Sequence, residues 1–152
     1  DRFLMRLHVG YPANDIEREI LSSQLLRHPI NEISYVVRTG DLLQCQALVR
    51  RVHVSDPVRD YIVTLAEETR RHPAFSYGCS PRGSLALMRV SQSLAAFSGR
   101  EYVLPRDVRD VAVHVLSHRL PLKLQARAEW ESSEQVVESI LEALPLEKWE
   151  KS

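Results

Sequence analysis

A chain of 152 residues, 44% hydrophobic and 26% charged, has room for one domain of ordinary size and the composition of a folded protein. Its 20 basic and 20 acidic side chains cancel, so it lacks the basic surplus of a nonspecific nucleic-acid binder, which Arg50-Arg51 and Arg70-Arg71-His72 do not restore. No apolar run approaches the roughly 20 residues that span a bilayer, and the charged opening Asp1-Arg2-Phe3-Leu4-Met5-Arg6, with no Met at position 1, reads as a piece of a longer cytoplasmic protein rather than a secretory leader.

Phe3, Met5, Leu7 and Val9 fall on alternate positions, with Arg6 and His8 between them, and Gly10 and Pro12 close the run. That is strand spacing. A helix is predicted from about Asn14 to Arg27, with Asn14 and Glu17 at capping-box spacing and Ile16, Ile20, Leu21 and Leu25 on its apolar side. Pro29 ends it by disfavouring helical geometry at His28. Asn31 to Arg38 reads as a linker. A second helix opens at Thr39 or Gly40 and runs to about Arg51, with Leu42, Cys45, Val49 and Val52 on one face.

Ser55-Asp56-Pro57 combines a capping hydroxyl, an acid near the positive helix end and a first-turn proline, a strong start signal. Val58, Tyr61, Ile62 and Leu65 then follow helical spacing up to Arg71-His72-Pro73. After a loop from Ala74 to Cys79, Ser80-Pro81 repeats the start. Leu87, Val90, Leu94 and Phe97 give the stripe, and Gly99 the stop. Glu101-Tyr102-Val103 and Val52-His53-Val54 are predicted to pair as a two-stranded clip. Pro105 opens a fifth helix, with Val108, Val111, Ala112 and Val115 buried. Leu104 is a poor cap, so this start is expected to fray. Leu120 to Trp130 has no clean period. A last helix, from about Ser133 to Leu144, has Ser132 and Gln135 at capping-box spacing and a stripe of Val137, Ile140, Leu141 and Leu144. The charged tail from Glu147 to Ser152 is expected to be mobile. The fold class is therefore all-α, a helical bundle with a short N-terminal strand remnant and a small clip.

Chemistry is sparse. Cys45 and Cys79 show no metal spacing and read as buried free thiols, with a single disulfide left open. His114 and His118 stand four apart, but no third metal ligand is evident. Asp107 with Asp110, and Glu67 with Glu68, read as solvated carboxylates. There is no nucleophile elbow, phosphate loop or G-x-G-x-x-G turn. The informative stretch is Ser80-Pro81-Arg82. A helix N-terminus collects unpaired N–H groups and positive dipole charge. An arginine there works against the dipole by up to about 1 kcal/mol, which makes sense if an anion is to arrive; otherwise Arg82 is an exposed arginine on a capped helix. Arg2, taken alone, is a surface arginine.

Seven stretches, in order and at matching spacing, jointly resemble the C-terminal portion of the MoxR family of AAA+ ATPases. They are residues 1–6, Gly10-Tyr11-Pro12, Val52-His53-Val54-Ser55-Asp56, Asp60-Tyr61-Ile62-Val63, Gly78-Cys79-Ser80-Pro81-Arg82-Gly83, Gly99-Arg100-Glu101-Tyr102-Val103 and His118-Arg119-Leu120. The resemblance covers the chain to about residue 120. It implies that residues 1–12 end a nucleotide-binding core, that 13–120 form a helical lid and that 121–152 are a C-terminal extension. It implies ATP and Mg2+, both bound mainly by the preceding core, with Ser80 and Arg82 at the nucleotide. Arg82 matches the arginine that reaches the terminal phosphate of its own subunit's ATP. Arg2 matches the finger aimed at a ring neighbour's ATP. It further implies a hexameric ring and chaperone-like remodelling or maturation of partners, among them proteins with von Willebrand factor A domains. Tyr11-Pro12 would be a hinge. Cys79 and Leu104 depart from the family's small apolar residue and threonine-like cap. The isolated chain, without a phosphate loop, is expected not to hydrolyse ATP. The competing reading is a stand-alone helical interaction module without nucleotide function.

Overall fold

The computed structural model describes residues 2–25 and 28–150. Its described residues form seven α-helices and no sheet. They fall into two units: residues up to Arg6 with those from Ala47 onward, and Leu7–Gln46.

In the larger unit the proline-led starts lie where the sequence places them. Helix α3 is Asp56–Arg71, α4 is Pro81–Phe97, α5 is Pro105–Leu116, α6 is Ser133–Ala143 and α7 is Glu147–Glu150. The core is the meeting of their stripes: Val58, Tyr61 and Leu65 of α3, Leu87 of α4, Val108, Val115 and Leu116 of α5, and Val136 and Val137 of α6 are fully buried. Helices α4 and α5 make the most extensive pair, and α3 and α6 pack on them. Phe97, predicted on the α4 stripe, is instead 91% exposed: the buried line of α4 runs through Gly83, Leu87, Ser91 and Ala95, and Phe97 falls off it before Gly99, at φ +72°, stops the helix.

Three local expectations change. First, the clip reduces to one parallel bridge between His53 and Tyr102, held by His53 N–H to the Glu101 carbonyl (2.8 Å) and Val103 N–H to the His53 carbonyl (2.9 Å). Second, Leu120 is buried despite the missing period. Beyond it Leu122 bridges antiparallel to Phe75 and a 3₁₀ turn spans Gln125–Ala128. Third, the tail is docked as far as Trp149, whose ring lies 5.7 Å from that of Tyr61. Residues 151–152 of that predicted tail lie outside the described residues.

The predicted strand is absent among the described residues: residues 5–13 carry no regular structure, and no neighbouring strand is present to complete a ladder. The start of this segment is held instead by α5, whose His114 carbonyl accepts from Arg6 N–H (2.8 Å).

In the smaller unit, α1 is Asn14–Ser23, and α2, Thr39–Val49, begins in this unit and ends in the other. The predicted end of α1 at Arg27 lies outside the described residues. Asn14 is inside the helix rather than its cap; Ala13 caps, with no side-chain bond. Asp41 holds the start of α2 by accepting from Arg38 N–H (3.1 Å). Neither helix has a buried residue. Ile16, Ile20, Leu21, Leu25 and Leu42 are exposed, and of the predicted α2 face only Val52 is buried. Forty residues cannot build a core of their own, so these stripes are apolar without being covered.

Candidate lid site at the start of helix α4

Of the residues singled out by sequence, Ser80 and Arg82 stand at the cap and in the first turn of α4. The Ser80 hydroxyl accepts from Gly83 N–H (3.3 Å) and so caps the helix. Pro81 follows in the first turn, which holds no acid. Arg82 is exposed and forms no ion pair among the described residues. The side chain the sequence assigns to an anion is therefore presented outward on a rigid, capped helix end. Arg2 is likewise exposed.

The loop leading into Ser80 is fixed from two sides. Thr69 Oγ1 accepts from Cys79 N–H (2.9 Å), and Arg70 Nε donates to the Cys79 carbonyl (2.8 Å). On the other side Ser76 N–H donates to the Pro121 carbonyl (2.9 Å), and Lys123 N–H to that of Ala74 (2.8 Å). The basic cluster Arg70-Arg71 is thus engaged within the fold, since Arg71 pairs with Glu67 (3.2 Å) and Glu68 (3.5 Å). A Cβ on Gly78 would overlap the Arg70 backbone. Gly78→Ala must therefore push the loop off α3. The expected result is a loss of about 1–3 kcal/mol, read as a thermal midpoint several degrees lower by circular dichroism.

Beside this turn lies a cavity of about 370 Å³ whose lining includes Arg6, Ser80, Ser117, His118 and Arg119. It is not purely cationic. Glu134, bonded to the Ser117 hydroxyl of the lining, keeps its carboxyl below the ordinary range: burial pushes the value up, but its own N–H, the Ser132 and Ser117 hydroxyls and the charge of Arg6 outweigh that. Arg119 is 9% exposed. Burial lowers its pKa, the Cys79 thiolate form opposes this, and the charge of Arg82 adds to the lowering, so the two guanidiniums feel each other. Sequence reasoning picked out His118-Arg119-Leu120 as a motif but gave it no role.

Of the other candidates, Cys45 is exposed rather than buried; Cys79 is buried, and both are free. Burial, first of all, raises the Cys79 thiol pKa. Among the described residues no three His, Cys, Asp or Glu side chains group as metal ligands. His118 Nε2 lies 3.2 Å from the Phe3 carbonyl. Asp107 is buried rather than solvated, while Asp110 is exposed.

Comparison with known proteins fits this geometry. Residues 67–140 match the AAA lid domain family, a span that includes the capped start of α4 and the Arg119 turn. The chain is 36% identical over 155 aligned residues to the chaperone MoxR1 of Mycobacterium tuberculosis, covering 96% of this chain and 41% of that protein. The chain is a MoxR-like AAA lid. Other relatives agree. It is 38% identical to the uncharacterized protein YeaC of Bacillus subtilis (95% of this chain, 45% of that one) and 30% identical to the protein MoxR of Paracoccus denitrificans (79% and 41%). A solved structure from Cytophaga hutchinsonii, described as a candidate ATPase, superposes with a TM-score of 0.84 at 30% identity, covering 95% of this chain and 47% of that one. The MoxR-like chain thus spans less than half the length of these relatives. No helix among its described residues is long and apolar enough to cross a membrane.

Proposed function

We propose that this MoxR-like lid closes the nucleotide site of a cytoplasmic, ring-forming ATPase that remodels or matures partner proteins. In this reading residues 1–12 end the AAA+ core, 13–120 are the lid and 121–152 extend it. The observation that carries the proposal is Arg82: exposed, in the first turn of α4, beyond a serine cap and with no acid beside it. A guanidinium and a helix N-terminus suit phosphate oxygens. They do not make a whole nucleotide site, because the sequence has no phosphate loop and no acids group as metal ligands among the described residues. ATP with Mg2+ would supply the terminal phosphate as the group transferred, held mainly by the preceding core. Arg82 neutralises charge on that phosphate from its own subunit. Ser80 sets the angle of the turn that carries Arg82. Arg2 projects to the neighbouring subunit, which is why a closed ring, commonly a hexamer, is required. Coupling phosphate state to lid orientation is a hinge-type switch.

The uncovered apolar residues of α1 and α2 agree with a missing core to pack on. The chaperone name of the M. tuberculosis relative supports work on client proteins. The family resemblance points to clients or co-factors with von Willebrand factor A domains. The decisive experiment is turnover by the full-length protein. Mg-ATP hydrolysis is expected, and a purified, folded, full-length protein inert toward saturating Mg-ATP would overturn the reading.

A further inference from the structure

Arg2 reaches its position in this chain without a β-ladder to hold it. The following residues are gripped by the end of α5 and the turn after it. Arg119 Nη2 donates to the Phe3 carbonyl and to the Leu4 carbonyl (3.0 Å), and its Nε donates to the carbonyl of Val115 (2.8 Å). His118 Nε2 lies within hydrogen-bond reach of the same Phe3 carbonyl (3.2 Å), and Arg6 N–H donates to that of His114 (2.8 Å). One planar guanidinium thus ties the backbone beside Arg2 to the last turn of α5, a geometry that a fork of donors suits better than a point charge.

The same side chain runs close to the other candidate arginine's helix. A Cβ at Gly83 would stand 3.6 Å from Arg119 Cδ, in ordinary contact, so α4 passes close over the arginine stem with Arg82 one residue away. Ser80 and Arg119 line one cavity. The buried cation therefore lies between the two elements that carry the phosphate-directed arginines.

We propose that Arg119 is a positioning residue: it sets the Arg2 segment in register with the first turn of α4, so that the finger offered to a neighbouring subunit and the sensor facing the subunit's own nucleotide keep a fixed relation. The proposal rests on the ATPase reading above. Arg119 touches no nucleotide in this scheme and acts through Phe3 and Leu4. A displacement of about 1 Å in a catalytic group costs about 10²-fold in rate, so loosening two backbone carbonyls next to the finger is enough.

The test is a double-mutant cycle in the full-length ATPase. Arg119→Met is expected to lower kcat about 10²-fold with KM for ATP held within about twofold, because nucleotide contacts are untouched. On an Arg2→Ala background the same substitution is expected to change kcat little, since a finger that is absent cannot be misplaced. Arg119→Lys keeps the charge and the stem but offers one ammonium where the guanidinium fork bridges Val115 to Phe3 and Leu4, and is expected to recover only part of the loss; it also completes the cycle should the methionine variant not fold. If the Arg119 factor multiplies undiminished on the Arg2→Ala background, Arg119 is a structural clip and the proposal fails. If Arg2→Ala alone leaves turnover unchanged, the finger assignment beneath it fails instead.

Discussion

Rings assembled from a mixture of Arg2→Ala and Arg82→Ala subunits are expected to hydrolyse ATP far faster than rings of either variant alone. Each pure ring lacks one arginine at every site. Loss of a preorganised donor facing developing charge lowers kcat about 10²–10³-fold, and loss of a finger about 10³–10⁵-fold. In a mixed ring some interfaces join a subunit with intact Arg82 to a neighbour with intact Arg2. Those sites are complete. The gain on mixing follows from the proposed roles, in which Arg82 acts within its own subunit and Arg2 on the next one. Both side chains are exposed, so neither truncation removes core packing, and both variants should fold and assemble as the parent does. The measurement is steady-state turnover against mixing ratio at fixed total protein. A strictly linear interpolation between the two pure rings would mean that the arginines act in the same subunit, or that one of them faces no nucleotide.

Much of the lid was legible because its signals are local. Ser55-Asp56-Pro57 and Ser80-Pro81 mark helix starts within three residues, and the stripes of α3, α5 and α6 repeat at the helical period. The candidate site was legible for the same reason: the cap, the proline and Arg82 are consecutive. What sequence reading missed depends on distant partners. Arg119 carries its meaning in the carbonyls of Phe3 and Leu4, more than a hundred positions away, which no spacing rule reaches. The strand at Phe3 to Val9 had the right alternation but no neighbour to pair with. The faces of α1 and α2 had helical apolar residues, yet periodicity says only that a face is apolar, not what covers it.

The clearest failure of local reading is the start of α5, and it supports the last prediction. Leu104 offers no capping side chain, so fraying was expected. Instead Asp107, in the first turn, reaches back and accepts from Leu104 N–H (2.8 Å). Its two oxygens are also forked by Arg100, with both contacts at 2.7 Å. The Asp107 side chain is 2% exposed and that of Arg100 18%. Burial by itself would raise the Asp107 pKa; the Arg100 fork, the Leu104 N–H and the nearby Arg106 charge prevail and hold it below the ordinary value. Arg100 is correspondingly raised, chiefly by its hydrogen bonds to Asp107. Removing one partner leaves the other uncompensated and largely buried, so Asp107→Ala is expected to cost about 3–5 kcal/mol. For a chain of this size that is a fall in thermal midpoint on the order of 10 °C, measured by circular dichroism at neutral pH. Because the folded pKa is depressed, the stabilisation is fully present above the unfolded carboxyl's value, near 4, and drains away as pH falls from there through the lowered folded value. The gap between parent and variant should therefore be constant from neutral pH down to about 5 and close below it. A gap that stayed open in strong acid would assign the loss to packing at the helix start rather than to the ion pair. A double variant, Arg100→Ala with Asp107→Ala, is expected to be less destabilised than the two single losses summed, since neither buried charge is then left alone.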